Sequence, residues 1–90
     1  MDSLEVVEAV ILIEEVFGVD IPSYDAESFR GPIEITDWLE RHLSNQRPNK
    51  AAAALLRKLA ERRCDPALAA DLDKTWRREQ IAAIVRGIFR

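Results

Sequence analysis

Three glycines and four prolines punctuate this 90-residue chain. Between them run stretches rich in Ala, Leu, Glu and Arg, the residues that lose least on entering a helix. No stretch alternates apolar and polar residues over more than a few positions, so the chain is predicted to be all-α. Gly18 closes a first helix from about Ser3 to Phe17, and Pro22 holds Ile21 extended. A short helical turn is expected from about Asp25 to Arg30. Gly31 and Pro32 then restart the chain into a helix to about Leu43, with Ile35, Trp38, Leu39, His42 and Leu43 on one face. Residues 44–49 form a linker. Beyond it Asn49 can cap an alanine-rich helix to about Arg63, and Asp65 with Pro66 opens another helical segment. After a polar turn over 74–80, the stripe Ile81, Ile84, Val85 and Ile88 marks a last helix.

Ninety residues suffice for one small domain with a single core. The net charge of −3 favours neither nucleic acid nor an anionic membrane, but the charge is unevenly spread. Residues 1–44 carry eleven acids and two bases, net −9, whereas residues 45–90 carry eleven bases and five acids, net +6. The pairs Arg57-Lys58, Arg62-Arg63 and Arg77-Arg78 lack interleaved aromatics. They read as solvated faces or contacts with the acidic half, not as a nucleic-acid patch. Cys64 has no partner for an internal disulfide, and with the single His42 it cannot complete a zinc site. The longest apolar run, Ala9 to Ile13, falls far short of the roughly 20 residues of a membrane helix, and the N-terminus lacks a signal peptide's basic region. A soluble, cytoplasmic protein is expected. Trp38 and Trp76 are expected as core or interface anchors, His42 as a packed or partly exposed residue, and Cys64 as a buried or inert thiol.

Advancing about 100° per residue along the first helix gathers Val6, Ala9, Val10, Ile13, Val16 and Phe17 into an uncharged arc, the core face. The opposite side holds Leu4, Glu8, Ile11 and Glu15 in a narrow stripe, flanked by Glu5 and Glu14. Acids alone would read as a solvated face. Acids around two large aliphatics are better suited to docking a basic partner, with the acids steering the encounter and the aliphatics supplying buried contact.

Just ahead of this face stands Asp2-Ser3-Leu4. Continued through Val7, Glu8, Val10, Glu14, Glu15, Phe17, Ile21 and Pro22, it makes the pattern D-S-L-x-x-V-E-x-V-x-x-x-E-E-x-F-x-x-x-I-P. Over about residues 2–43 the chain closely resembles an acyl carrier protein, whose Asp-Ser-Leu motif opens the second helix of a four-helix bundle. The resemblance implies that Ser3 is the attachment point of 4′-phosphopantetheine, delivered from coenzyme A, with Asp2 and Leu4 as its motif neighbours. It implies a carrier of acyl, aminoacyl or polyketide intermediates, as in fatty acid or polyketide biosynthesis, and not an enzyme. A phosphopantetheinyl transferase and acyl-handling synthase enzymes would be the partners, docking on Leu4, Glu5, Glu8, Ile11 and Glu15. From below, the chemistry is consistent: free N–H groups and the positive dipole end at a helix start favour a phosphodiester. The plain alternative is that Ser3 is only a helix cap, with Asp2 and a capping box from Glu5 at the same turn.

The chain also departs from that family, which places a helix and a long loop ahead of the motif. Residues 1–44 would supply the family's second to fourth helices and residues 45–90 a basic helical extension, the two forming one compact domain. The apolar arc of the first helix needs a cover, since exposed apolar surface costs about 25 cal/mol per Å². Residues 76–90 look like a carrier's first helix and could cover it from a permuted position, leaving one extra helix in the spacer. They could equally be a generic packing helix, or pack on a second chain as a swapped homodimer. The alternative function is a non-carrying interaction or dimerisation module, or a fragment derived from a carrier domain.

Overall fold

A computed structural model describes the backbone of residues 3–89 and the side chains of residues 7–89, and its five α-helices follow the glycines and prolines. Helix α1 (Ser3–Phe17) ends where Gly18 turns left-handed at φ +67°. The N–H groups of Gly18 and Val19 both donate to the Glu14 carbonyl, at 2.9 and 3.3 Å. The Glu14 carboxylate then accepts from the Ile21 N–H at 2.9 Å, so this acid is committed to the turn after α1. Helix α2 (Ser23–Glu27) buries no residue of its own. It is tied to the next helix by the Trp38 indole N–H, which donates to Asp25 Oδ2 at 3.1 Å. Helix α3 (Pro32–His42) starts with proline in its first turn, and Glu34 reaches back to accept from the Arg30 N–H at 3.0 Å.

Asn49 performs two tasks with one amide. Its Oδ1 caps α4 (Lys50–Arg62) by accepting from the Ala52 N–H at 2.8 Å, while its Nδ2 donates to the Val16 carbonyl at 3.0 Å. The start of α4 is thereby fastened to the end of α1. The segment opened by Asp65 and Pro66 is a single 3₁₀ turn, Pro66–Ala69, capped by Asp65 Oδ1 on the Ala67 N–H. The last helix, α5 (Arg78–Phe89), begins inside the stretch expected as a polar turn. The cause is Gln80, which is buried: its Oε1 accepts from the Arg77 N–H, as in the back half of a capping box, and its Nε2 donates to the carbonyls of Leu68 and Ala70. Arg77 adds guanidinium hydrogen bonds to the carbonyls of Ala67 and Ala70.

The described residues contain no strand, and the architecture is all-α, as expected. One apolar cluster runs through the molecule, drawing Val10, Ile13 and Phe17 from α1, Ile35, Trp38 and Leu39 from α3, Leu56 and Leu59 from α4, and Ile81, Ile84 and Val85 from α5. Helix α5 packs chiefly on α3 and also touches α1 and α4, while α4 in turn touches α1. The cover that the α1 arc requires therefore comes from this chain's own second half, through both α4 and α5. Trp38 and Trp76 are buried anchors, and the Trp76 ring meets Phe17 at a centroid distance of 4.9 Å. No described helix is long and apolar enough to cross a membrane.

His42 fits its expectation as a packed, partly exposed residue, whereas Val16, Ile88 and Cys64 differ from theirs. His42 is exposed at the edge of its apolar stripe, stacked on Trp38 at 3.7 Å with its Nδ1 2.8 Å from the Trp38 carbonyl. Val16, at the edge of its arc, and Ile88, in the last turn of α5, are only half-buried and pack against the rim of the core. Cys64 is exposed and not buried, because it stands past the end of α4 in a left-handed turn, φ 52°.

Candidate functional site

Ser3 is the first residue of α1. The first N–H groups of a helix have no partner within it, so this end of α1 offers donors and the positive dipole end to an anion. Asp2 and the side chains of Ser3, Leu4 and Glu5 lie outside the described residues. Further along α1 the structure describes the rest of the stripe expected to dock partners. Glu8, Ile11 and Glu15 are all exposed, with Ile11 50% accessible. The core arc on the other side is buried at Ala9, Val10, Ile13 and Phe17. The two-sided character read for this helix is therefore present from Glu8 to Phe17.

The exposed face is more apolar than its Leu4–Ile11 reading suggests. Val7 is 54% and Leu12 46% accessible, so with Ile11 three aliphatics stand in water beside Glu8 and Glu15. The signal was present in the rotation itself: stepping about 100° per residue puts Val7 and Leu12 outside the core arc on its two sides. Glu14 stands apart from the other acids of α1, because its carboxylate is used by the Ile21 N–H. Two more large apolar side chains are exposed in the first half, Tyr24 on α2 at 76% and Ile33 in the first turn of α3 at 72%. The five-residue α2 is too short for periodicity to reveal a face for Tyr24, whereas the exposure of Ile33 is legible from its place about 160° around α3 from Ile35.

The exposed large apolar side chains of the described residues all lie in the first half, and the charge of the second half is organised differently. Arg78 bridges to α3, its Nη1 2.7 Å from Asp37 Oδ1 and 3.2 Å from Glu40 Oε1. The hydrogen bond to Asp37 is the main cause that raises its already high pKa. The expectation that the basic pairs would contact the acidic half holds for Arg78 alone among the described residues. Arg57, Lys58, Arg62 and Arg63 are exposed. A 510 Å³ open cleft between α2 and α3 is lined by Asp25, Glu34, Asp37 and Glu40 over the rings of Phe29 and Trp38.

A curated acyl carrier protein of Syntrophobacter fumaroxidans is 51% identical to this chain over 41 residues, which cover 46% of this chain and 51% of that protein. Just under half of the chain is thus related to a carrier protein. The chain spans about half the length of the curated relative it matches. No family model matches the chain, and no solved structure does.

Proposed function

We propose that this chain is a carrier: Ser3 bears 4′-phosphopantetheine, and the exposed face of α1 presents the loaded arm to partner enzymes. The observation that supports this most is the 51% identity over 41 residues to an acyl carrier protein, set beside the Asp2-Ser3-Leu4 motif of this chain. The residues fit the group in a further respect, since Ser3 begins α1 and a phosphodiester there meets free N–H donors and the favourable end of the helix dipole. When bound, the arm supplies a thiol that holds an acyl, aminoacyl or polyketide cargo as a thioester. The chain's own residues do the rest: Ser3 provides the hydroxyl, Asp2 and Leu4 flank it, and Leu4, Glu5, Glu8, Ile11 and Glu15 guide partners to it. Transfer of the arm belongs to a separate phosphopantetheinyl transferase, and bond-making on the cargo to synthase enzymes, so the chain is not itself an enzyme. In this reading α5 does the service of the carrier family's first helix from a permuted place, residues 45–75 being the added spacer.

The intact mass after incubation with coenzyme A and a broad-specificity phosphopantetheinyl transferase tests the proposal. One arm is expected on this chain and none on Ser3→Ala. Replacing Glu8 and Glu15 by Gln should slow the same reaction through association and flatten its salt dependence, because exposed acids act on encounter rates. A chain that stays unmodified under conditions that load an ordinary carrier would leave the second reading, a non-carrying interaction module.

A further inference from the structure

The two halves carry opposite charge, yet inside the fold that charge is almost unused. Among the described residues Arg78 is the one base of residues 45–90 paired with acids of residues 1–44. Glu8 and Glu15 on α1, and Arg57, Lys58 and Arg62 on α4, make no ion pair among the described residues and face water. Both helices also expose an organised face. On α1 the aliphatics Val7, Ile11 and Leu12 stand out beside acids. On α4 the exposed residues Lys50, Ala51, Ala54, Arg57, Lys58 and Arg62 fall within about 140° of arc, interrupted by the single acid Glu61. Between those bases stand the methyl groups of Ala51 and Ala54 together with Glu61, so the face is shallow at its alanines.

A face on which exposed aliphatics flank Glu8 and Glu15, and a face on which Lys50, Arg57, Lys58 and Arg62 outnumber one acid around Ala51 and Ala54, are opposite in sign and both offer apolar contact. They belong to different helices that both look outward, so one copy cannot bring them together without unfolding. A second copy can. We propose that the α1 face of one copy docks on the α4 face of another, giving a weak head-to-tail association of this chain with itself. The proposal uses only exposed residues of α1 and α4, and it stands whether or not Ser3 is modified. Because the contact is heterologous, each copy keeps one face of each sign for a further neighbour, and association extends with concentration instead of stopping at a closed pair.

The test is sedimentation of the full unmodified chain over a wide concentration range, at low salt and at about 0.5 M salt, where the Debye length falls to a few ångströms. Concentration-dependent association at low salt, weakened at least ~10-fold at high salt, is expected. Two reversed variants then assign the faces: Glu8→Lys with Glu15→Lys, and Arg57→Glu with Lys58→Glu. Each alone should be monomeric, since its two faces now repel. Mixed together they should pair, because the first keeps the native α4 face and the second the native α1 face. Far-ultraviolet circular dichroism checks that each variant is folded, and the neutral pair Arg57→Gln with Lys58→Gln replaces the α4 reversal if it is not. In that case the neutral variant alone should associate at least ~10-fold more weakly than the unaltered chain. A chain that is monomeric throughout at low salt overturns the proposal. So does association that survives both reversals, which would place the contact elsewhere, for example in an exchange of α5, and so does a mixture that fails to pair.

Discussion

The first 44 residues and the last 46 build one core from unlike materials. The first half puts large side chains inside, among them Phe17, Phe29, Trp38 and Leu39, and keeps nearly all its acids outside. The second half buries Trp76, Leu68 and the branched residues of α5, and on α4 it sets Leu56 and Leu59 beside Ala52, Ala53 and Ala60, whose small side chains let helices approach closely. Charges of −9 and +6 suggest that the halves adhere electrostatically. The contacts say otherwise: a continuous apolar cluster joins the halves, and a single arginine spans them in ion pairs among the described residues. A buried aliphatic or aromatic side chain contributes about 1.5–3 kcal/mol, and exposed ion pairs typically contribute far less. Opposite composition in two segments is therefore a poor guide to what holds them together, and here it leaves both charges available to other molecules.

The sharpest way to break this account is to put a charge where the second half covers the first. Ile84 is 1% exposed in the middle of α5. Ile84→Asp should cost at least ~4 kcal/mol, because a carboxylate there has no hydrogen-bonding partner to replace water. That is of the order of the whole stability of a 90-residue domain, about 5–13 kcal/mol. Amide exchange is the discriminating measurement. Protection should vanish in α1 and α3 together with α5, and α1 and α3 retaining protection while α5 opens would mean that the first half stands alone.

A finer test concerns the contact between Phe17 at the end of α1 and Trp76 just ahead of α5, tilted by 46° at 4.9 Å. Trp76→Leu should lower stability by about 2–3 kcal/mol through lost packing. In a double-mutant cycle with Phe17→Leu, followed by urea unfolding, the rings should show a coupling of about 0.5–1.5 kcal/mol. A coupling near zero would mean that each ring is stabilised by its own half and that the junction lies elsewhere.

Those two residues also show where reading a sequence stops. Elements and their ends were legible because they are decided locally: Gly18, Pro32, Asn49 and Asp65 act on the backbone beside them, and the structure places them at the ends of elements as expected. The buried face of α1 was legible from rotation about one axis, as was Glu8, Ile11 and Glu15 facing water. What a face packs against is not local. Nothing in the spacing of Phe17 names Trp76 as its neighbour 59 positions on, or says that α4 as well as α5 would lie on α1. Side chains that leave their own element were hidden for the same reason. Glu14 counted with the acids of a surface until its bond to the Ile21 N–H, and Gln80 counted as part of a polar turn until its burial against Leu68 and Ala70. Of the proposed site, Ser3 is read from its motif and the stripe from its periodicity, whereas exposed Tyr24, on a helix of five residues, carries neither signal.

The smallest expected effect belongs to the residue that joins the halves by charge. Arg78, Asp37 and Glu40 have side chains 44%, 51% and 48% exposed. Water can therefore solvate each of them when the pair is broken, and no buried charge is stranded. Arg78→Met keeps most of the aliphatic stem lying along α3 and removes only the guanidinium. Its melting temperature should fall least among the substitutions considered, and the difference from the unaltered chain should close as salt is raised, because screening already weakens the pair. A loss matching that of Ile84→Asp, persisting in high salt, would reverse the order of forces and make Arg78 the true fastening between the acidic and basic segments. The burial of Ile81, Ile84 and Val85 directly behind it argues for the opposite: the helix is placed by its apolar side, and Arg78 reaches acids that α3 has already brought within range.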